Sequence, residues 1–388
     1  MNNYRLKSIQ MKKNLFIFLL FFSSVFQIQA QNRWAPEKAK TWYAKQPFLV
    51  GANFIPSNAI NQLEMFQAET FDPITIDKEL GWAAAIGMNT MRIFLHDLLY
   101  LQDPEGFKKR LDKVLSICAK HKIRPMLVLF DSCWYPFPKV GTQQAPTPGI
   151  HNSFWVQSPG ADALTDVSQY PRLEAYVKGI VGAFKNDNRI LMWDMWNEPD
   201  NLNGNSWGEK GKNLEPANKN AIITRLLPEV FKWARSTSPS QPLTSGVWQW
   251  WNSDSWKEES KWSAMDKVQL ENSDIVSFHH YGEPEDFEKI ILNLQKSGRP
   301  LVCTEYMARG VNSLFSNTLP IAKQYKVAAF NWGLVVGKTQ TNLPWDSWQK
   351  PYTNGNEAKI WFHEVFNNDG SPYKTEEIEA IKQATGKK

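Results

Sequence analysis

The sequence predicts a single (β/α)8 barrel, on three observations. Eight short apolar runs alternate with stretches of helical periodicity, the pattern of a parallel sheet wrapped by helices. Each run ends in polar, ionisable or aromatic residues, where the strands of a barrel build a site at its C-terminal face. The 388 residues hold no internal repeat, low-complexity run or linker that would divide them, so residues 31–388 read as one domain behind a leader of 1–30.

The strands and helices follow in order. Asn32 to Gln46 reads as a polar and aromatic lead-in, and Phe48 to Phe54 as the first strand. A helix near Ile74 to Ile86 stops at Gly87, as a C-terminal glycine stops one. Met88 to Leu95 is the second strand. The helix from Gly106 to His121 places Phe107, Leu111, Val114, Leu115 and Cys118 on one face at a 3.6-residue period. Ile123 to Phe130 is the third strand, and a Pro-, Gly- and Trp-rich loop of residues 131–170 follows it; loops this long are usually functional. A helix from Pro171 to Phe184, with Pro tolerated at its first turn, leads to the fourth strand, Leu191 to Glu198. Then come a polar loop, a helix from Pro216 to Ser236, a strand over Leu243 to Trp248 and a Trp-rich loop. Asp274 to His279, Leu301 to Glu305 and Val327 to Trp332 are strands six to eight, with helices at Pro284 to Ser297 and Ser313 to Tyr325. A helix over Asn356 to Phe366 is expected to close the ring, with a charged tail helix, Lys374 to Ala384, trailing behind. Long loops thus follow strands 3, 4, 5 and 8.

The N-terminus reads as an export signal. Arg5, Lys7, Lys12 and Lys13 precede the apolar run Leu15 to Phe26, with a cleavage point after Ala30. The run is too short to span a membrane, and no Cys follows it to take a lipid, so a secreted or periplasmic monomer is expected. These four cations are among 44 basic residues and no acid accompanies them, so the formal charge falls from +5 to +1 on cleavage. The basicity therefore belongs to targeting, which removes the case for a nucleic-acid partner. Three cysteines, Cys118, Cys133 and Cys303, make no disulfide framework. The six His are scattered without metal-ligand spacing, so no metal and no cofactor are expected. The 18 Trp exceed what packing needs; flat aromatic faces suit sugar rings.

The chemistry sits at the strand tips. Glu198 ends a strand between Trp196 and Pro199; desolvation there raises a carboxyl pKa and keeps it protonated near neutrality. Glu305 ends the seventh strand, 107 residues on. One protonated and one ionised carboxyl across a bond is what glycosidic cleavage needs. Arg92, inside an apolar strand, requires an acidic partner, and pairing with Glu305 would keep that carboxylate ionised. His279 and Tyr281 share a side and are placed to bond Glu305 or a sugar hydroxyl, whereas His280 reads as structural. Trp332 is expected to floor the sugar site. Trp134, Trp155, Trp207, Trp250, Trp251 and Trp345 lie in loops on the same rim.

Trp196-Asn197-Glu198-Pro199, the Arg92 strand, His279-x-Tyr281, Thr304-Glu305 and Trp332, in order over roughly residues 45 to 350, resemble glycoside hydrolase family 5, the cellulase-like group of clan A. The resemblance implies an eight-stranded barrel and a retaining double displacement, with Glu198 as acid/base and Glu305 as nucleophile. Asn197 would bond the sugar 2-hydroxyl, and Arg92, His279 and Tyr281 would support the nucleophile. Asp131, Trp134, Trp248 and Trp332 are expected to contact the carbohydrate. Where family members usually carry a His just past strand three, this chain reads Asp131-Ser132-Cys133-Trp134. The Gly333 to Thr341 segment also departs from the cellulases. The expected activity is retaining hydrolysis of a β-linked polysaccharide or oligosaccharide (β-glucan, mannan or xylan). The alternatives are an exo-acting β-glycosidase of β-mannosidase type and a non-catalytic carbohydrate-binding barrel.

Overall fold

The computed structural model describes residues 32–204, 206, 214–249 and 257–388; the expected leader and Trp207, Trp250 and Trp251 lie outside them. Eight parallel strands form a barrel: β1 (Val50–Asn53), β2 (Thr90–Phe94), β3 (Met126–Asp131), β4 (Met192–Asn197), β5 (Leu243–Thr244), β6 (Val276–His279), β7 (Leu301–Tyr306) and β8 (Ala328–Trp332). The ladder order is β5-β4-β3-β2-β1-β8-β7-β6. The seam between β5 and β6 is stitched where Asp274 N–H donates to the Leu243 carbonyl at 2.8 Å and His279 N–H to that of Val247 at 2.9 Å. β5 is shorter than expected because Ser245 leaves the ladder and its hydroxyl donates to the Trp196 carbonyl at 2.8 Å. Val247 rejoins as an isolated bridge to Phe278.

The strands are buried along their length save for Trp332 at the tip of β8, as sheets covered on both faces must be. The helix Pro104–Lys120 turns Phe107, Leu111, Val114, Leu115 and Cys118 inward, the face its periodicity marked out. At the opposite end from the site, the lead-in forms a helix, Pro36–Tyr43, that the sequence reading did not resolve. It seals the barrel floor with Trp34 and Ala39 against Met126, Met192, Val302 and Phe330. Asp274 and Arg299 hold its start in place, taking the Trp34 N–H and donating to the Trp34 carbonyl, each at 2.8 Å.

Two expectations at the C-terminal end are overturned. Residues 356–366 are not helical. The carbonyls of Trp361, His363 and Glu364 are taken by the buried guanidinium of Arg309, so they cannot accept helical amides. Glu364 turns with φ +70°, outside the helical region. The tail helix, Thr375–Thr385, closes the ring instead, burying Ile378 and Ile381 beside the helix Phe315–Gln324. A further helix, Ala264–Asn272, starts on a Ser263–Asp266 capping box after the Trp-rich loop. The 131–170 loop contains a short α-helix, Ala161–Thr165, and a 3-10 turn, Val167–Gln169. No helix among the described residues is long and apolar enough to cross a membrane.

Candidate active site

β4 brings Asn197 to its last position and leaves Glu198 on the turn that follows, with φ +43°. A non-glycine residue in that region is strained, and such strain collects where the surroundings fix a side chain for a purpose. On the far side of the barrel mouth Glu305 sits in β7, where the ladders to β6 and β8 both shift register. One oxygen of each carboxyl and a ring nitrogen of His279 lie within 4.8 Å of one another.

Arg92 organises what lies beneath. Its guanidinium is buried and donates to Glu305 Oε1 at 2.8 Å, Asn53 Oδ1 at 3.0 Å, Asn197 Oδ1 at 2.7 Å and Asp194 Oδ2 at 2.7 and 3.1 Å. The Asp194 pairing was missed in the sequence, although a lone acid between Trp193 and Met195 in an apolar run is the same signal that singled out Arg92. Tyr281 donates to Glu305 Oε2 at 2.8 Å. His279 Nδ1 lies 3.1 Å from Glu198 Oε1 and 3.5 Å from Glu305 Oε2, so it stands between the two acids. Burial lowers its pKa to about 4, which keeps the ring neutral.

Burial raises the pKa of both carboxyls. At Glu305 the rise is opposed by His279, by the Arg92 cation and by the Tyr281 hydroxyl. At Glu198 it is opposed by hydrogen bonds from Cys133 Sγ, 3.1 Å away, and Asn201 Nδ2, at 2.6 Å, both to Oε2. Neither of these contacts is legible in the sequence: Cys133 belongs to no motif of its own, and Asn201 sits in a loop with no periodicity to mark it.

A cavity of about 460 Å³ opens over the pair, within the ~300–1,000 Å³ range of small-ligand sites. Asn197, Glu198, Tyr281, Glu305, Trp134, Trp248 and Trp332 line it, and so do Cys133, His151 and Trp345. Arg92, His279 and Asp131 are buried behind that lining. Asp131 was expected to meet carbohydrate. Instead its carboxyl accepts from Trp155 Nε1 at 2.6 Å, Asn197 Nδ2 at 2.9 Å and the Cys133 amide at 3.0 Å, so it braces the wall from inside. Burial lifts its pKa to about 7. Trp155 is likewise buried, edge-on to Trp332 and Phe94. His280 lies off the site, bonded to the Glu283 carbonyl and packed on Phe287. At the β2 tip, His96 caps a short helix and Asp97 pairs with Arg172.

Trp248 is held by a 2.7 Å hydrogen bond from its indole to Asp200. Across the cavity, the loops after β3 and β8 are tied together. Gln340 donates to the Thr147 and Ile150 carbonyls and accepts from Gly149 N–H, at 2.8, 3.1 and 3.0 Å. His151 N–H donates to Ser347 Oγ at 2.9 Å, and Asn152 N–H to the Thr339 carbonyl at 2.7 Å. Trp134 stacks on Trp348, and Tyr352 N–H reaches the Gly149 carbonyl. Gly149, at φ +76°, has no room for a Cβ beside the Tyr352 backbone.

No curated sequence matches the chain. Solved structures share its fold. They include an exo-β-1,4-mannosidase from Opitutaceae bacterium strain TAV5 (TM-score 0.55, 18% identity, 87% of this chain and 60% of that one). An endo-β-1,4-mannanase from Thermotoga petrophila gives TM-score 0.53 at 15% identity, covering 89% of this chain and 77% of that one. A Streptomyces cattleya protein solved in complex with Manβ1-4GlcNAc gives 0.56 at 11% identity, over 88% and 80%. The chain therefore spans less than two thirds of the Opitutaceae protein. The family model described as cellulase (glycosyl hydrolase family 5) matches residues 57–351, and with two glutamates converging at the tips of β4 and β7 the chain belongs to glycosyl hydrolase family 5, a family of glycoside-bond hydrolases.

Proposed function

We propose that the protein is a retaining exo-β-mannosidase-type enzyme, removing single sugars from the non-reducing ends of β-1,4-linked mannose-containing chains. Glu305 is the nucleophile. It touches a permanent cation at 2.8 Å and accepts from Tyr281, so of the two buried acids it releases its proton first. Glu198, which touches no Lys or Arg among the described residues, keeps its proton and delivers it to the departing oxygen. The glycosyl ester on Glu305 is then hydrolysed by water that Glu198 activates as base. The closeness of the two carboxyls, with oxygens inside 4.8 Å, supports retention, since inversion requires ~6.5–9.5 Å to admit water between them. Asn197, fixed by Arg92 and Asp131, faces the sugar 2-position.

The observation that carries the exo reading is the knot between the loops after β3 and β8. A sugar over Trp332, beside Glu305, has its leaving group toward Glu198 and hence toward Asp200 and Trp248. Its other side meets Trp134, His151 and Trp345 on the tied loops. The tied loops stand where a chain continuing in that direction would have to pass. The mannose preference rests on the solved structures that share the fold, an exo-β-1,4-mannosidase and an endo-β-1,4-mannanase among them. The test is a time course on reducing-end-labelled β-1,4-mannohexaose. Labelled products one sugar shorter at each step, with mannose the sole unlabelled product from the first minutes, are expected. Early labelled dimers and trimers would overturn exo action, and a gluco- or xylo-oligosaccharide cleaved faster would overturn the mannose assignment.

A further inference from the structure

Cys133 follows β3 by two residues, at the place where the resemblance leads one to expect His. Its amide is fixed by Asp131 Oδ1 at 3.0 Å, and its thiol is directed at the acid/base carboxyl, 3.1 Å from Glu198 Oε2. Asn201 Nδ2 donates to the same oxygen at 2.6 Å and lies 3.4 Å from the sulfur. Burial and the surrounding carboxylates push the thiol pKa well above its usual value, so the group is S–H at any working pH and acts as a donor. Oε2 thus receives two donors, whereas Oε1 is left facing His279 Nδ1 at 3.1 Å.

We propose that Cys133 is a positioning residue for the acid/base: together with Asn201 it saturates Glu198 Oε2, leaving Oε1 as the oxygen that carries the transferable proton. A carboxyl whose two oxygens are distinguished in this way offers its proton from one fixed direction, which is what general acid catalysis requires. The proposal rests on Glu198 being the acid/base. A thiol also donates more weakly than an N–H or O–H group. It orients the carboxyl while favouring the anion less than a second amide would, so the proton is retained toward neutrality.

The test is the pH profile of kcat/KM on an aryl β-mannoside for wild type, Cys133→Ala, Cys133→Ser and Glu198→Gln. Glu198 is also faced by the Arg92 and Lys219 cations, by the carboxyls of Asp131, Asp200 and Glu305, and by His279 and Tyr281. All of these remain in the Cys133 variants, so a change reports the thiol. Loss of a donor to the anion raises the Glu198 pKa, so the alkaline limb in Cys133→Ala is expected to move up by about 0.5–1 pH unit, the size of one modest hydrogen bond. Cys133→Ser restores a donor and is expected to return the limb to the wild-type position or below it. A limb that stays in place in Cys133→Ala, or identical profiles for the Ala and Ser variants, would overturn the proposal. Persistence of the alkaline limb in Glu198→Gln would show instead that Glu198 is not the acid.

Discussion

At Arg92 all five N–H donors are used, on four side chains from three other strands. Lysine has three donors and no planar fork, so it cannot substitute there. The two acids likewise have different partners, Arg92 and Tyr281 at Glu305 against Cys133 and Asn201 at Glu198. Glu305→Gln keeps the volume and the Arg92 contact while removing the negative charge. It is expected to lower kcat by about 10⁴-fold or more with unchanged melting temperature, because a neutral amide is a poor nucleophile toward the anomeric carbon. Glu198→Gln is expected to cost about 10²–10⁴-fold on a mannosyl leaving group but much less on a dinitrophenyl one, which departs without a proton. Added azide, standing in for base-activated water, is expected to restore turnover in Glu198→Gln and yield β-mannosyl azide. An α-product would exclude double displacement.

Among the elements, the loops after β3 and β8 give the cavity its shape. Gln340 spans them with three hydrogen bonds, two donated and one accepted, and itself sits at φ +53°. Gln340→Ala is expected to reduce stability by about 2–3 kcal/mol, from hydrogen bonds worth ~1 kcal/mol each, read as a lower urea midpoint at constant slope. It is also expected to release disaccharide from mannohexaose as the wall loosens. A destabilised variant that still yields only mannose would show that the wall does not depend on this side chain. The helix expected at 356–366 belongs to the same lesson. The buried Arg309 guanidinium draws three of its carbonyls away from the helical pattern.

For the whole molecule, the buried acids away from the reaction set a pH dependence. Glu364 lies under Gly333 beside Thr341, and burial lifts its pKa to about 8. Glu79, on the helix Pro73–Ala85, is lifted to about 7. An acid whose folded pKa lies above its unfolded value binds more protons when folded. Its contribution is therefore complete below the unfolded pKa and is lost as pH rises toward the folded one. Stability is expected to decline between about pH 5 and 7 on this account, with each such group contributing up to ~1.4 kcal/mol per pH unit. Glu364→Gln should flatten that decline by one group's share, measured as urea unfolding free energy at several pH values. An unchanged slope would mean that Glu364 is ionised in the folded state.

By itself the sequence determined the barrel, because eight apolar runs separated by amphipathic stretches leave few other ways to bury both faces of a sheet. It also determined the rim chemistry, because Glu198, Glu305, Arg92 and Tyr281 stand at the ends of those runs or within them. Tertiary structure decided what depends on distance between remote segments. Asp194 became the partner of Arg92, Asp131 turned inward behind the wall, and the thiol of Cys133 met Glu198 across the gap between the loops after β3 and β4. It also decided that residues 375–385 rather than 356–366 close the ring. Periodicity along a chain reports which face of an element is buried. Which loop lies against which, and which polar atom finds a given donor, is fixed only when separate elements are brought within hydrogen-bonding range.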